Sequence, residues 1–208
     1  VGTARYGLAA ANYGSTGQAI FGYGQGASIQ SVTNLVSTTG VVSGDTTGVG
    51  TARNGPAAAA FGSTGQAIFG YGFNGSSYVS MTNIVSSAGV VATDVTGVGT
   101  ARGYLAAAAF GTSGQAIFGY GYSSTYVSMT NIVSSAGVVA TDVTGVGTAR
   151  QGPAAAGFGY SGQAIFGYGQ TGSYLSMTNI VSSAGVVATD VTGVGTSRGY
   201  LAASKIGF

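Results

Sequence analysis

Cysteine, histidine, tryptophan and glutamate are all absent from this 208-residue chain, and charge is confined to six Lys or Arg and four Asp. Without cysteine or histidine, disulfides, thiol catalysis, Cys/His zinc sites and imidazole acid–base chemistry are excluded together. The aspartates are the only side-chain carboxylates, and no base accompanies the many Ser, Thr and Tyr hydroxyls. The chain therefore reads as a non-enzyme without a cofactor. Long apolar runs are lacking too. Stretches such as Val90–Ala92 and Pro56–Phe61 fall far short of the ~18 residues a spanning helix needs, so no membrane span is expected. The net charge of +2 comes from isolated arginines and not from a basic stripe, which argues against nucleic acid as a partner.

What is abundant is glycine, 40 residues, within a chain that is 45% hydrophobic. Regularly recurring Val, Ile, Phe and Tyr give it enough apolar surface to form a core, so the low charge does not imply disorder. The few charges are themselves periodic. Asp45, Asp94, Asp142 and Asp190 each precede an arginine by eight positions, at Arg53, Arg102, Arg150 and Arg198. Arg5 is the same arginine with no aspartate ahead of it, and Lys205 stands outside the pattern. The valine of GVGT(A/S)R sets the register at Val1, Val49, Val98, Val146 and Val194. The array then has units 1–48, 49–97, 98–145 and 146–193 and a partial unit 194–208, all one domain. Beginning at Val1 with no leader-like stretch, the chain reads as processed or as a segment of something longer.

Each unit divides into short segments bounded by Gly, Ser, Asn or Thr. The second unit shows an alanine run Ala57–Ala60, then QAIFGYG, a variable loop 73–77, YVSMTNIV, a turn Ser86–Gly89, and VVATDVT. None is long enough for a typical helix, and four alanines are too few to nucleate one. Alternation places Ala67, Phe69 and Tyr71 on one face of the second segment. The expectation is all-β, with four short strands in each of four tandem units of ~48 residues. The alanine strand belongs innermost, where only small side chains fit, and the aromatics fill the space between units.

The order R-x-x-x-A-A-A, turn, QAIFGYG, loop, TNIV, GVV and GTAR resembles the kelch repeat over essentially the whole chain. That resemblance implies a β-propeller, here with a surplus C-terminal strand; the alternative is an open β-solenoid-like stack. Three departures stand out. A tyrosine splits the glycine pair, as in Gly70-Tyr71-Gly72, and the same split follows Gly22, Gly119 and Gly167. The kelch tryptophan has no counterpart, and Val85 and its equivalents replace a tyrosine. Kelch propellers also usually carry more than four blades. Glycine-rich arrays of this kind resemble those of phage tail and virion proteins.

The Asp–Arg pairs, recurring in every unit, read as structural ties between repeats; the alternative is a ring of aspartates holding a cation, or of arginines gripping an anionic sugar. Units 2 to 4 are nearly identical except in their loops, so ligand contact, if any, falls to Phe73, Asn74, Tyr78, Tyr122, Tyr126, Gln170 and Tyr174. The ending Lys205, Ile206 and Phe208 departs from earlier copies and marks a candidate assembly strand. Together these readings point to a non-catalytic structural or surface-display module of an extracellular fibre or virion. Such a module would form a homo-oligomer or filament through its terminal strands. A glycan- or receptor-binding propeller lectin facing cell-surface glycan is the second reading, and a synthetic consensus repeat the third.

Overall fold

The computed structural model describes residues 2–205, so Ile206 and Phe208 of the expected assembly strand lie outside the described residues. The described residues are all β, with no helix and hence none long and apolar enough to cross a membrane. They form four three-stranded antiparallel sheets, each a meander in chain order. The first contains β1 (Ala9–Tyr13), β2 (Gln18–Gly22) and β3 (Thr33–Val36), and the second β4 (Ala57–Phe61), β5 (Gln66–Phe73) and β6 (Tyr78–Val85). The third contains β7 (Ala106–Phe110), β8 (Gln115–Gly119) and β9 (Thr130–Val133), and the fourth β10 (Ala154–Phe158), β11 (Gln163–Gly167) and β12 (Thr178–Val181).

The expected fourth strand of each unit is not a strand, and the cause is a bulge. In the first unit it meets β3 only at two bridges, Val36 to Val42 and Thr33 to Thr46. The inner strand advances three residues where the outer segment advances four, and the extra residue breaks the ladder. The bulge also brings Asp45 within hydrogen-bond reach of Asn34 on β3, at 2.9 Å. All four units repeat this arrangement.

The alanine strands pack side by side, β1 on β4, β4 on β7 and β7 on β10, but no comparable packing returns from β10 to β1. The ring is therefore not closed. The units still turn about one axis, because Leu8, Pro56, Leu105, Pro153 and Leu201 all line the same axial cavities. The surplus C-terminal segment docks as the next unit would, with the Tyr200 N–H donating to the Gly152 carbonyl at 2.8 Å. Its Leu201–Lys205 stretch is not paired as a strand, so the surplus strand is not realised among the described residues.

The core is split into layers between consecutive sheets, and one backbone device builds them. Ala67 and Phe69 pack back on the first unit, with Phe69 against Tyr23 at a centroid distance of 5.1 Å. Tyr71 does not share their face, as alternation alone predicts. The pairing of β5 with β6 shifts between Gly70 and Gly72, and Tyr71 adopts a φ of +63°. This bulge turns its ring forward onto Phe118 of the third unit, 5.2 Å away. Tyr23, Tyr120 and Tyr168 hold the same left-handed conformation. The tyrosine that splits the glycine pair is thus where the chain reverses the direction of one side chain. Each sheet consequently sends a phenylalanine backward and a tyrosine forward.

Candidate functional site

Two constellations concentrate the polar chemistry, and the first is the junction between units. Each aspartate pairs with the arginine that opens its own unit, not with the arginine eight positions on. The pairs are Arg5–Asp45 at 3.5 Å, Arg53–Asp94 and Arg102–Asp142 at 3.7 Å each, and Arg150–Asp190 at 3.9 Å. The residue without an aspartate is accordingly Arg198, not Arg5. The pairing expected from sequence fails because the bulge turns each aspartate back toward the GVGT link at the head of its unit. Asp94 accepts there from the Thr51 backbone N–H at 2.9 Å and the Thr51 hydroxyl at 2.7 Å.

Arg102 shows the complete junction. It is fully buried, and its Nε donates to the Tyr120 carbonyl at 2.9 Å, Nη1 to the Thr100 carbonyl at 3.1 Å and Nη2 to Asn131 Oδ1 at 2.6 Å. Its guanidinium lies 4.4 Å from the centre of the Tyr71 ring, so the cation of the third unit rests on a ring of the second. Tyr71 completes the tie by donating its hydroxyl to the Val98 carbonyl at 3.1 Å. Arg53 on Tyr23 and Arg150 on Tyr120 repeat the stack. The asparagines at 34, 83, 131 and 179, which the sequence reading passed over, hold each network together by linking arginine to aspartate.

These groups are tuned for structure and not for proton transfer. Burial pushes the Tyr23 and Tyr71 hydroxyls up to about 12, against the lowering pull of the neighbouring guanidinium. Bonds from Thr3 and Asn34 hold Asp45 down to about 2. Partial desolvation works to raise Asp94, Asp142 and Asp190, but threonine and asparagine bonds and the arginine charge outweigh it and hold all three below the ordinary range. Carboxyls depressed in the folded state stabilise it above the unfolded carboxylate range, and that contribution is lost as pH falls through the folded values. The raised tyrosines act in the opposite direction, with stability present below their ordinary value of 10.0 and lost toward about 12. Thermal melts across pH are expected to show a plateau bounded by a fall from about pH 4 toward about 2 and another from about 10 upward. The share of tyrosinate absorbance that is lost in Tyr23→Phe and Tyr71→Phe should appear in step with the alkaline loss of β-sheet circular dichroism.

The second constellation is a tyrosine-rich face at one end of the array. The variable loops rise there, beside the links that follow each arginine, through bridges of Tyr6 with Gln25, Asn54 with Phe73, Gly103 with Tyr122 and Gln151 with Gln170. The loop residues singled out in the sequence do gather. Phe73 meets Tyr78 at 5.2 Å, Tyr78 meets Tyr122 at 5.9 Å and Tyr122 meets Tyr126 at 5.3 Å between ring centroids. Tyr174 is exposed on the same face, and Gln170 donates to the Tyr200 hydroxyl at 3.0 Å. Asn74 instead serves its own loop, with Oδ1 accepting from the backbone N–H of Ser76 and Ser77 at 3.0 and 2.9 Å. Lys205 lies elsewhere, lining a cavity of about 320 Å³ beside Phe110, Phe158 and Gln163.

The links that follow the arginines enclose an axial cavity of about 640 Å³, with Tyr6, Asn54, Tyr104 and Tyr200 in its wall, none of which stands out in the sequence. No residue of the lining is charged. Burial raises Tyr78, Tyr104 and Tyr200 above the ordinary phenol value, so all three are neutral at physiological pH. Among the described residues no cluster of Asp side chains could hold a metal ion. No known family model matches this chain, and no curated protein matches it either.

Proposed function

We propose that the chain is a non-catalytic structural repeat module, its units arranged as propeller-like blades, that assembles end to end in an extracellular fibre or virion. One observation carries the reading: among the described residues, the first and fourth units leave open the two halves of the contact that the units make internally three times. Phe69, Phe118 and Phe166 are completely buried against the preceding unit, whereas Phe21 is 37% exposed. At the other end, a side chain at Gly22, Gly70 or Gly119 would meet the following phenylalanine within 2.8 Å, while at Gly167 Thr178, at 3.3 Å, is the only neighbour among the described residues. Tyr168 has Arg198 over its ring but, among the described residues, no phenylalanine at its edge, unlike Tyr23, Tyr71 and Tyr120. Knob and slot are two different halves of one interface, the head-to-tail arrangement that builds a filament unless its rotation closes into a ring.

The surplus segment fits this arrangement. Leu201-Ala202-Ala203 repeats Leu8-Ala9-Ala10 and holds the place that these residues of an incoming copy would take, so it gives way when that copy docks. The burial of Arg53, Arg102 and Arg150 in the junctions, with each aspartate tied to threonine and asparagine at the junction edge, supports the non-catalytic part of the reading. Sedimentation velocity and negative-stain electron microscopy of the 208-residue chain over a concentration series test it. Concentration-dependent linear oligomers are expected, shortened or lost in Phe21→Ser. A monodisperse monomer at all concentrations overturns the assembly.

A further inference from the structure

We infer that the mouth of the axial cavity is a binding site for a neutral carbohydrate, centred on Tyr6, Asn54, Tyr104 and Tyr200. This goes beyond the structural role, and it places the ligand on the axis and not in the variable loops.

The first observation is a tyrosine placed where the fold needs a left-handed backbone that glycine meets without strain. Gly7, Gly55, Tyr104, Gly152 and Tyr200 occupy one equivalent slot in successive units, and all are left-handed, with φ between 55° and 62°. Glycine satisfies that conformation at three of the five positions. A tyrosine there is disfavoured, so its presence twice points to a use for the ring. The rings also account for the glycine in the unit before each tyrosine. Tyr104 covers Gly55 and Tyr200 covers Gly152, and in each case a Cβ on the covered residue would lie within 2.9 Å of the ring. Two consecutive units therefore do not both carry the tyrosine, which stands in the third unit and in the partial unit after the fourth.

The second observation is how the cavity is equipped. Tyr104 and Tyr200 meet edge to face with ring centroids 6.3 Å apart, and Tyr6 and Tyr200 are 64% and 54% exposed. The Tyr200 hydroxyl accepts from Gln170 at 3.0 Å and the Tyr104 hydroxyl from Asn54 at 3.5 Å, which leaves the proton of each phenol to donate onward. Asn54, itself 5% exposed, has no donor for its Oδ1. Leu105 and Pro153 contribute an apolar floor. The volume, about 640 Å³, falls in the usual range for small-ligand sites of ~300–1,000 Å³.

Such a lining suits a ring that offers one apolar face to tyrosine and several acceptor oxygens to phenol protons. A neutral pyranose has both. An acidic sugar would bury its charge with no counter-ion in the lining, an unfavourable transfer.

The test titrates the 208-residue chain with maltotriose, cellotriose, chitotriose and mannotriose, following tyrosine fluorescence and saturation-transfer NMR. A sialylated trisaccharide and a proline-rich peptide are run beside them. The key variant is Tyr104→Gly with Tyr200→Gly, which gives both positions the residue their sister units already carry. It is expected to melt at or above the parent temperature and to bind at least about tenfold more weakly. Tyr200→Phe, keeping the ring but not the donor, should fall between, while Tyr122→Ser in the loop should leave binding unchanged. Saturable binding of one or more neutral trisaccharides with this order of variants supports the site. Four outcomes overturn it: no neutral trisaccharide binding at millimolar concentration, binding confined to the sialylated sugar or the peptide, full binding by the double glycine variant, or loss of binding in Tyr122→Ser alone.

Discussion

Arg102→Ala is expected to destabilise the array by about 3–5 kcal/mol, the usual cost of removing one member of a buried ionic network. Four partners lose their counterpart at once. The carbonyls of Tyr120 and Thr100 and the Asn131 amide oxygen lose a donor, and the Tyr71 ring loses the cation above it. Buried acceptors left without a donor account for much of the cost. Arg102→Lys should recover only part of it, because an ammonium cannot serve three divergent acceptors or lie flat on a ring. Arg198→Ala is the informative control. Arg198 stacks on Tyr168 as its equivalents do, but it is exposed and has neither the asparagine nor the aspartate. Its loss should cost less than about 1 kcal/mol. Urea midpoints of the three variants measure the difference, and equal losses at 102 and 198 would contradict the view that the buried network carries the junction.

Much of this architecture is legible from residue order, and the exceptions have physical reasons. The unit length, the short strands, the axial alanines and the packing of aromatics between units follow from periodicity and side-chain size. The pairing of charges does not. In a tandem repeat every residue recurs one unit away, so an aspartate has two equivalent arginines, and pattern cannot say which it meets. The choice is made by the bulge that opens between Val42 and Thr46, a backbone feature without a glycine in every copy to announce it. That bulge also reduces the expected fourth strand to bridges.

The asparagine of each TN(I/L)V segment did carry a signal. Asparagine is depleted in strands, so one placed between apolar residues in each copy needs a buried partner. The reversal at Tyr71 was signalled as well, by a tyrosine held between two glycines, but its direction depends on the neighbouring unit. The axial cavity was the hardest to foresee. Its wall draws one position from each of several units, and those positions differ between copies: Tyr6 and Asn54 immediately follow the arginine, while Tyr104 and Tyr200 lie one residue further on.

Phe118→Ala is expected to cost about 3–5 kcal/mol, as for other fully buried aromatic truncations, whereas Phe21→Ala, the same change in the same QAIFGYG motif, should cost less than about 1 kcal/mol in the isolated chain. The difference comes entirely from the neighbours. Phe118 is 0% exposed, its ring against the Tyr71 edge and over Gly70, where even a methyl would collide with it. Truncation leaves a cavity bounded by two sheets that are fixed to each other by the Arg102 junction, so the gap cannot easily collapse. No sheet of the described residues lies behind Phe21, which is 37% exposed. Its removal therefore opens no enclosed void, and its effect should appear in assembly. If chains join as proposed, Phe21 enters the slot beside Gly167 and Tyr168 of the next copy, and Phe21→Ala should raise the concentration at which oligomers form while leaving the melting temperature of dilute protein almost unchanged. Gly167→Leu should likewise raise that concentration from the opposite end, because it fills the slot that Phe21 would enter. Two substitutions at opposite ends of the array that impair assembly equally would identify the two faces as one interface.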